Sequence, residues 1–318
     1  MRFVARRLSF VGLLQAAAVV TTLFSLATLP NSLHRHLELF SHFRLQYLLV
    51  SLLLCLSFIA LRSRAWAGLM LVITAINTVP VAPWYLAETR THAETDPRIE
   101  LLLANVHSRN ANTRALIELI ETEQPDLVFL QEATDRWVVA MNVLQTRYPH
   151  RYSIARDDNF GIAVYARQPL LGVEKLDSPP YGFPSLVLRQ SVAGRIVTLV
   201  TTHPIPPLGK DGFDARNEQL ASIAEVITSI AGPRLLVGDL NTTMWGHHYD
   251  LLERATGLRN ARHGIGIVPT WPRQLPFAMI PIDHCLVSED FAVVDIDSGP
   301  SIGSDHLPLT VTLALVQR

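Results

Sequence analysis

The sequence predicts an α+β protein, a sandwich of two packed mixed β-sheets flanked by helices, preceded by three membrane-spanning helices. Three observations lead to this fold class. Long uncharged stretches are confined to the first 86 residues, strand-like segments outnumber helical ones in the remainder, and the strands come in runs. Strict alternation of strand and helix would instead have favoured a doubly wound parallel sheet.

The N-terminal region contains three apolar stretches, at residues 8–29, 45–61 and 65–86. Each is close to the ~20 residues that cross a bilayer as a helix. The middle stretch is short, but Phe43, Arg44 and Arg62 at its ends could extend it toward the interface. A cleaved signal peptide is the alternative for the first stretch, which is longer than a usual signal core and lacks a small-x-small cleavage site. We therefore predict a membrane anchor over residues 1–86.

Basic residues beside these stretches predict the orientation of the anchor. Arg2, Arg6 and Arg7 precede the first stretch, and Arg62 and Arg64 lie in the short loop between the second and third. The positive-inside rule then places the N-terminus in the cytoplasm and everything after residue 86 on the far side of the membrane. A transporter is disfavoured because none of the three stretches has an internal charged residue.

Overall charge and cysteine content exclude few classes of function. The net charge of −1 gives no general positive field that would attract nucleic acid, and no long run of Lys or Arg occurs. Cys55 and Cys285 are badly placed to pair, so no disulfide framework is expected.

Residues 87–98 are polar and lack an apolar period, so they are predicted to be a linker to a single domain at 99–318. Apolar residues at helical spacing predict helices over 111–124, 134–148 and 213–230, and a short helix near Gly246. The pair Ala193-Gly194 predicts a hairpin turn. Strands are expected at 99–106, 126–131, 160–166, 185–190, 195–202, 234–240, 281–287, 291–297 and 307–316.

Polar side chains follow these apolar strands at the points where the strands end. Any one of them is most simply explained as a turn former. Strand ends on one rim of a sandwich can converge, however, and several carboxylates in one cleft are costly unless a cation or bound protons compensate them. The residues concerned are Asn105, Glu132, His203, Asp239, Asn241, Asp283, Asp305 and His306.

The segment "LLVGDLN" carries two of these residues. Asp239 and Asn241 are two positions apart, and in extended geometry their side chains would project to the same side. Gly238 is expected to let the backbone pass close to a ligand.

The donor types narrow the choice of cation. Asn105, Glu132 and Asp305 supply hard oxygen ligands without a neighbouring cysteine, which suits Mg²⁺ or Mn²⁺ and argues against structural zinc. Carboxylates and histidines around such a metal are typical of sites where water attacks a phosphoryl centre.

Taken together, the motifs resemble those of the endonuclease/exonuclease/phosphatase superfamily, which has the deoxyribonuclease-I-like fold. The resemblance covers about residue 98 to the C-terminus, and the motifs occur in the family order. They are "LLLANV", "PDLVFLQE", "FGIAVYAR", "VTLVTTH", "LLVGDLN", "IDHCLV" and "GSDHLPL". The resemblance implies a four-layer αββα sandwich, in agreement with the periodicity, and a membrane-anchored bacterial type with its catalytic domain outside the inner (cytoplasmic) membrane.

The resemblance also implies a role for each position. Glu132 would be the principal metal ligand, with Asn105 and Asp305 beside it. His306 matches the catalytic histidine of the family, and Asp283 the acid that orients it. Asp239 would position or deprotonate the attacking water, and either Asp239 or His306 could be the general base. The remaining pair, Asn241 and His203, would contact the scissile phosphate.

Weaker matches are Tyr165, in a strand where some nucleases place a phosphate-contacting tyrosine, Arg216 and Gln219 on a helix, and "PTW" at 269–271 in a cleft-lining loop. Core packing is an equal explanation for Tyr165.

These implications favour a membrane-anchored, Mg²⁺-dependent phosphoesterase acting on nucleic acid. A phosphodiesterase of the phospholipid or sphingomyelin type is the alternative within the enzyme class, since no basic, aromatic-rich insertion identifies a DNA-groove reader. The alternative of another class is an inactive binding or scaffold protein of the same fold. Membrane and phosphoester substrate are the expected partners, and no obligate protein partner is evident.

Overall fold

A computed structural model describes residues 9–87 and 89–317 of the chain. Arg2, Arg6 and Arg7, on which the predicted orientation depends, lie outside the described residues, as does Glu88 of the predicted linker. The chain divides into two compact units. The first contains residues 1–83 and 245–247, and the second contains residues 84–244 and 248–318.

The first unit is helical. Two of its helices, α1 and α4, are long and apolar enough to cross a membrane, and the pair α2 and α3, bent by 63°, would add a third if it forms one span. Buried Phe58, Met70 and Ile73 pack in the centre of this unit. The helices are α1 (Phe10–Ala27), α2 (Arg35–Ser41), α3 (Arg44–Ala60) and α4 (Arg64–Val81).

The three-span prediction is therefore supported only in part. The loop expected between the first two apolar stretches contains α2, and α3 is shorter than α1 and α4 by one residue. The third stretch was predicted to run to residue 86, but α4 ends at Val81 and a separate turn, α5 (Pro83–Leu86), follows. Pro83 ends the longer helix because it lacks the backbone N–H that the next turn requires.

The second unit is an α+β sandwich of two six-stranded mixed sheets with flanking helices. The first sheet has the order β11-β12-β1-β2-β4-β3 and the second β5-β6-β7-β8-β10-β9. Only β1 with β2 and β7 with β8 pair in parallel among the described strands. The strands are β1 (Arg98–Asn105), β2 (Leu127–Gln131), β3 (His150–Ile154), β4 (Ile162–Ala166), β5 (Leu170–Ser178), β6 (Phe183–Val192), β7 (Arg195–Thr202), β8 (Arg234–Asp239), β9 (Arg259–Asn260), β10 (Asp283–Val287), β11 (Phe291–Ser298) and β12 (Leu309–Leu315).

Alternation along the strands builds two hydrophobic layers. In β1, Leu101 and Leu103 enter the core between the sheets, whereas Leu102 faces outward into a second cluster with Trp137 and Leu116. This is why β1 reads as a continuous apolar run, because both of its faces are buried. The helices are α6 (Thr113–Glu123), α7 (Asp135–Ala140), α8 (Gly209–Thr228) and α9 (His247–Thr256).

The predicted strands and helices are found within a few residues, with two kinds of exception. The sequence pattern missed β3, β5 and the two-residue β9. The residues of β3 and β5 are largely half-buried or exposed and so lack a strong apolar run, and β9 is too short to show one. The helix predicted over 134–148 ends at Ala140 and continues as a single 3₁₀ turn to Leu144. The expected hairpin at Ala193-Gly194 is present, and both residues have positive φ.

Glu253 lies on α9, remote from the strand ends, and its pKa leads us to predict that the stability of the fold depends on pH. Burial raises its pKa to about 7, although Asn260 N–H and Tyr249 O–H both donate to its carboxyl. Because the folded pKa lies above the unfolded value, the protonated group stabilises the fold below pH ~4.3, and this stabilisation is lost as pH rises through about 7.

We expect the Glu253→Gln variant to lose this part of the pH dependence, on the order of 2 kcal/mol between pH 5 and 8. Thermal unfolding of the variant and the wild type at both pH values measures it. The matched control is Glu118→Gln on α6, because Glu118 pairs with Arg114 at the surface, away from Glu253. Equal pH slopes for Glu253→Gln and wild type would contradict the assignment.

Candidate active site

Strand register brings the predicted polar residues to one rim of the sandwich. In the second sheet Asp283 of β10 pairs directly with Asp239 of β8. Parallel pairing of β7 with β8 carries His203, the residue after β7, toward the same end. In the first sheet Asn105 of β1 pairs with Gln131 of β2, and Glu132 follows immediately. The strand ends therefore converge as the sequence predicted.

Asp239 is the centre of this arrangement. Its Oδ2 atom lies 3.5 Å from His203 Nε2 and 3.6 Å from His306 Nε2, and it accepts a hydrogen bond from Asn105 Nδ2 at 3.1 Å. Its other oxygen accepts from the backbone N–H of Asn241 at 2.9 Å. Since Asp239 is only 1% exposed, its charge is balanced by these neighbours and very little by water.

His306 and Asp283 form a buried hydrogen-bonded pair. His306 Nδ1 donates to Asp283 Oδ2 at 2.8 Å, which leaves Nε2 facing Asp239. The second carboxylate oxygen of Asp283 is buried without a hydrogen-bond partner. Asp283 therefore sets the ring orientation and the tautomer of His306.

The pKa values follow from this alternation of acids and bases. Burial alone would lower the pKa of His306, but Asp283 and Asp239 raise it to about 10. Burial also opposes the charged form of His203, and Asp239 and Glu132 outweigh it, so the pKa of His203 is raised. For Asp239, burial would raise the pKa, and His306 and His203 instead hold it below its usual range. The carboxylate of Asp239 thus favours the protonated form of both imidazoles.

Glu132 and Asn105 occupy the neighbouring part of the rim. Asn105 Nδ2 donates to Glu132 Oε1 at 3.1 Å as well as to Asp239, so two carboxylate oxygens face the same amide nitrogen. The second oxygen of Glu132 accepts from the backbone N–H of Ser108 at 3.0 Å. This convergence of oxygens is a donor set that suits a hard divalent cation.

Backbone strain marks the same loops. Glu132, His107 and Asn241 have φ of 60°, 56° and 50°, in the left-handed region that L-residues rarely adopt. Each such residue costs of order 1–3 kcal/mol, and such strain concentrates at functional sites.

The left-handed conformation corrects the expected geometry of Asn241. β8 ends at Asp239, so strand alternation does not extend to Asn241, and its amide Nδ2 donates to the Pro204 carbonyl at 2.9 Å. Arg216 on α8 holds the same loop through a 3.1 Å hydrogen bond to the Asn241 carbonyl.

Asp305 lies at the edge of the group, with its side chain one-third exposed. Its Oδ2 accepts from Trp271 Nε1 at 3.1 Å, and its Oδ1 lies 3.8 Å from His107 Nδ1. The adjacent Ser304 hydroxyl donates to the Asn105 carbonyl at 2.8 Å, which joins this segment to β1. Trp271 belongs to the "PTW" segment, so the loop lines the site as expected.

Gln131 is a residue that sequence reasoning missed. Its buried amide bridges the two sheets, since Nε2 donates to the Thr202 carbonyl and Oε1 accepts from the Asp239 N–H, both at 2.7 Å. A lone amide at the end of an otherwise apolar strand was the available signal. The structure also corrects the expectation for Gly238. A Cβ at this position would collide with Thr202 O and approach Gln131 Nε2, so the backbone passes close to these groups and not to a ligand.

The weaker sequence matches occupy supporting positions. Gln219 donates to the Thr202 hydroxyl at 3.0 Å beneath the rim. Tyr165 faces the outer hydrophobic cluster of the first sheet, and its hydroxyl has no hydrogen-bond partner. His284, next to Asp283, points away from the rim and contacts the Thr242 carbonyl and the Tyr249 ring.

Among the described residues, Asp239, Asp283 and His306 form one group close enough to share a metal ion. His306 Nδ1 and Asp283 Oδ2 of this group are also joined by a hydrogen bond. On the Asn105 side of Asp239, one oxygen each of Glu132 and Asp239 accepts a hydrogen bond from Asn105 Nδ2.

Comparison with known proteins agrees with this geometry. The profile of the endonuclease/exonuclease/phosphatase family matches residues 102–306. No protein of curated function matches the chain.

Several solved structures share the fold. An endonuclease/exonuclease/phosphatase from Beutenbergia cavernae DSM 12333 is 18% identical, with a TM-score of 0.59 over 69% of this chain and 72% of that one. D. rerio TDP2 complexed with a single-strand DNA product is 17% identical, with a TM-score of 0.57 over 69% and 99%. Sphingomyelinase C from Streptomyces griseocarneus is 16% identical, with a TM-score of 0.51 over 68% and 99%.

Proposed function

This chain belongs to the endonuclease/exonuclease/phosphatase family, and from that premise we propose that it is a divalent-metal-dependent phosphoesterase that hydrolyses phosphodiester bonds, nuclease-like in its substrate. The observation that carries the proposal is the buried carboxylate of Asp239 held between the imidazoles of His203 and His306. An ionised acid beside two imidazole rings is suited to activating water and stabilising phosphoryl charge.

Asp239 is the proposed general base. Its lowered pKa keeps it ionised at neutral pH, whereas His306, with a pKa of about 10, is protonated and has no free nitrogen to accept a proton. A water beside Asp239 Oδ2 attacks phosphorus as its proton passes to the carboxylate. The P–O bond to the leaving group breaks, and the leaving oxygen takes a proton from solvent.

His306 is the proposed stabiliser of charge on the phosphoryl group. Because its Nε2 atom lies 3.6 Å from Asp239 Oδ2, the two groups act on the same side of phosphorus. An in-line leaving group departs on the opposite side, so Nε2–H is placed to donate to a non-bridging oxygen. Asp283 keeps that proton available by holding Nδ1.

His203 and Asn241 are the proposed phosphate contacts. The Nδ1 atom of His203 is buried without a hydrogen-bond partner, so a protonated ring has a donor to offer to a phosphoryl oxygen. Asn241 is fixed by Pro204 and Arg216, which limits the reorganisation needed on binding.

Glu132, Asn105 and Asp305 are the proposed metal-binding residues, with Glu132 as the principal ligand. A bound Mg²⁺ or Mn²⁺ would supply Lewis-acid stabilisation of negative charge on the phosphoryl oxygens. Asn105 and Ser108 N–H hold the Glu132 carboxylate in a fixed orientation for this purpose.

A phosphodiesterase of the phospholipid or sphingomyelin type is the second candidate. It is favoured by the fold shared with sphingomyelinase C and by the apolar N-terminal helices. An inactive scaffold is disfavoured because every predicted site position carries a side chain able to perform its role.

A substrate panel tests the proposal. Full-length protein in detergent is assayed on single- and double-stranded DNA, RNA and phospholipid micelles, with Mg²⁺ or with EDTA. We expect Mg²⁺-dependent cleavage of nucleic acid that EDTA abolishes. Metal-dependent hydrolysis of phospholipid alone would favour the second candidate, and no cleavage of any phosphodiester would refute the enzyme.

We also propose that residues 1–86 anchor the chain in the bacterial inner membrane with the N-terminus in the cytoplasm. In this arrangement 87–98 is the linker and 99–318 the catalytic domain on the far side. The apolar helices α1 and α4 support it, and the bent pair α2 and α3 would add a third span. A C-terminal reporter that is active only outside the cytoplasm is expected, and cytoplasmic reporter activity would contradict the orientation.

A further inference from the structure

Three aromatic side chains, Tyr181, Phe183 and Phe160, form a row that leads to the candidate active site. The ring centroids of Tyr181 and Phe183 are 5.7 Å apart, and Phe183 stacks on Phe160 at 3.6 Å. Phe160 is in turn 5.6 Å from the ring of His203, which contacts Asp239. We call these three side chains the aromatic row.

Burial increases along the row toward the carboxylate. Tyr181 is 55% exposed, Phe183 is half-buried, Phe160 is 9% exposed and His203 is 3% exposed. The row therefore begins at the surface and ends inside the site. The inner pair is packed in place, and Tyr181 is the ring that remains accessible.

Arg156 lies beside the aromatic row, and an acidic side chain already compensates its positive charge. The guanidinium of Arg156 lies 6.0 Å from the centroid of Phe183 and pairs with the Asp158 carboxylate. A phosphate group would find this arginine occupied, so the row is suited to an apolar, planar group and not to the phosphate backbone.

We infer that the aromatic row is a subsite for a nucleobase that flanks the scissile phosphate, with Tyr181 as the stacking surface. The inference rests on the proposed phosphodiesterase function and specifies its substrate class. Stacking of a base on an aromatic side chain is worth roughly 1–3 kcal/mol and tolerates any base, because every base has a π-face.

The row fits a base better than a choline headgroup. A quaternary ammonium group binds to the open faces of several rings arranged around one point. Here the rings stand in series, one face of Phe183 is covered by Phe160, and a cation, Arg156, already lies over the ring.

The test compares full-length wild type with the Tyr181→Ala variant on two oligonucleotides of equal length, one with bases and one built of abasic sugars. We expect Tyr181→Ala to lower the ratio of kcat/KM for the two substrates about tenfold, which corresponds to ~1.4 kcal/mol. The Tyr181→Phe variant should restore the ratio, since it keeps the ring.

Leu171→Ala is the matched control, because Leu171 is 58% exposed on the neighbouring β5 and lies outside the row. Binding of a fluorescent single-stranded oligonucleotide in EDTA provides a second measurement that needs no turnover. Tyr181→Ala should weaken this binding about tenfold, and Leu171→Ala should leave it unchanged.

The outcomes separate the subsite from the catalytic proposal. Wild-type protein that binds the oligonucleotide through Tyr181 but cleaves no phosphodiester would refute the catalytic function and support the subsite. Equal losses on base-bearing and abasic substrates, unchanged binding in Tyr181→Ala, or a defect confined to choline phospholipid would overturn the subsite.

Discussion

The Asp283→Asn variant is expected to retain its fold and lose about 10³- to 10⁴-fold in kcat. Asparagine keeps the size of the side chain but removes the negative charge that accepts the His306 Nδ1 proton at 2.8 Å. Without that charge the pKa of His306 falls toward its usual value and the tautomer is no longer fixed. Nε2–H, placed to donate to the phosphoryl oxygen, is then present in only part of the molecules.

Stability distinguishes this effect from simple unfolding. Asp283 is buried and pairs with His306, so its replacement leaves the His306 ring either uncompensated or deprotonated. We therefore expect the thermal unfolding midpoint of Asp283→Asn to fall while the variant stays folded at the assay temperature, which an unfolding curve recorded beside the kinetics measures.

The matched control is Asp297→Asn, an exposed acid on β11 that faces solvent. Steady-state kinetics over pH 5 to 9 provide the measurement. The wild-type rate should show no loss from His306 deprotonation in that range, because the pKa of His306 is about 10, whereas the variant rate should fall as its His306 loses the proton. A variant within tenfold of wild type across that range would remove the Asp283–His306 pair from the mechanism.

The sequence was sufficient to place the rim because strand ends are local features. Asn105, Glu132, Asp239 and Asp283 each follow or begin an apolar run, and a run buried on both faces can be recognised from its residues alone. The order of these runs, compared with a known family, then implied which ends meet.

Side-chain direction was less predictable where the backbone leaves regular geometry. Asn241 was expected to project beside Asp239, but its positive φ turns its amide to Pro204. When a residue other than glycine adopts the left-handed conformation, tertiary contacts hold it there. For Asn241 the contact is with Arg216 from α8, and the local sequence does not encode it.

Gln131 illustrates a second limit. Its two hydrogen bonds join β2 to β7 and β8 across the sandwich, and the Asp239 N–H would be buried and unpaired without them. Its contribution depends on which sheets face each other, and that arrangement exists only in the folded protein. Polar residues in apolar runs are therefore worth treating as candidates even when no chemistry is assigned to them.

In the apolar N-terminal region, the predicted length of the third stretch differs from the length of the helix that forms there. A hydropathy count joins residues 65–86 into one stretch, whereas the structure ends α4 at Val81 and restarts at Pro83. Composition measures apolar content, and the proline determines where the helix stops.

The Glu132→Gln variant is expected to lower kcat/KM about 10³-fold and to raise the Mg²⁺ concentration needed for half-maximal rate. The loss of several kcal/mol of charge stabilisation corresponds to this factor, because each 1.36 kcal/mol is tenfold. Glutamine retains the acceptor for the Ser108 N–H, so the strained loop at Glu132 should keep its conformation while one formal charge is lost.

Glu118→Gln is the matched control, since Glu118 is exposed on α6 and pairs only with Arg114 among the contacts that the structure describes for it. Mg²⁺ titration of the rate, with calorimetric measurement of Mg²⁺ binding, gives both parameters. If Glu132 is the principal ligand, Glu132→Gln shows both weaker Mg²⁺ binding and slower turnover. Glu118→Gln shows neither change. Unchanged Mg²⁺ binding in Glu132→Gln would instead move the metal to the group formed by Asp239, Asp283 and His306.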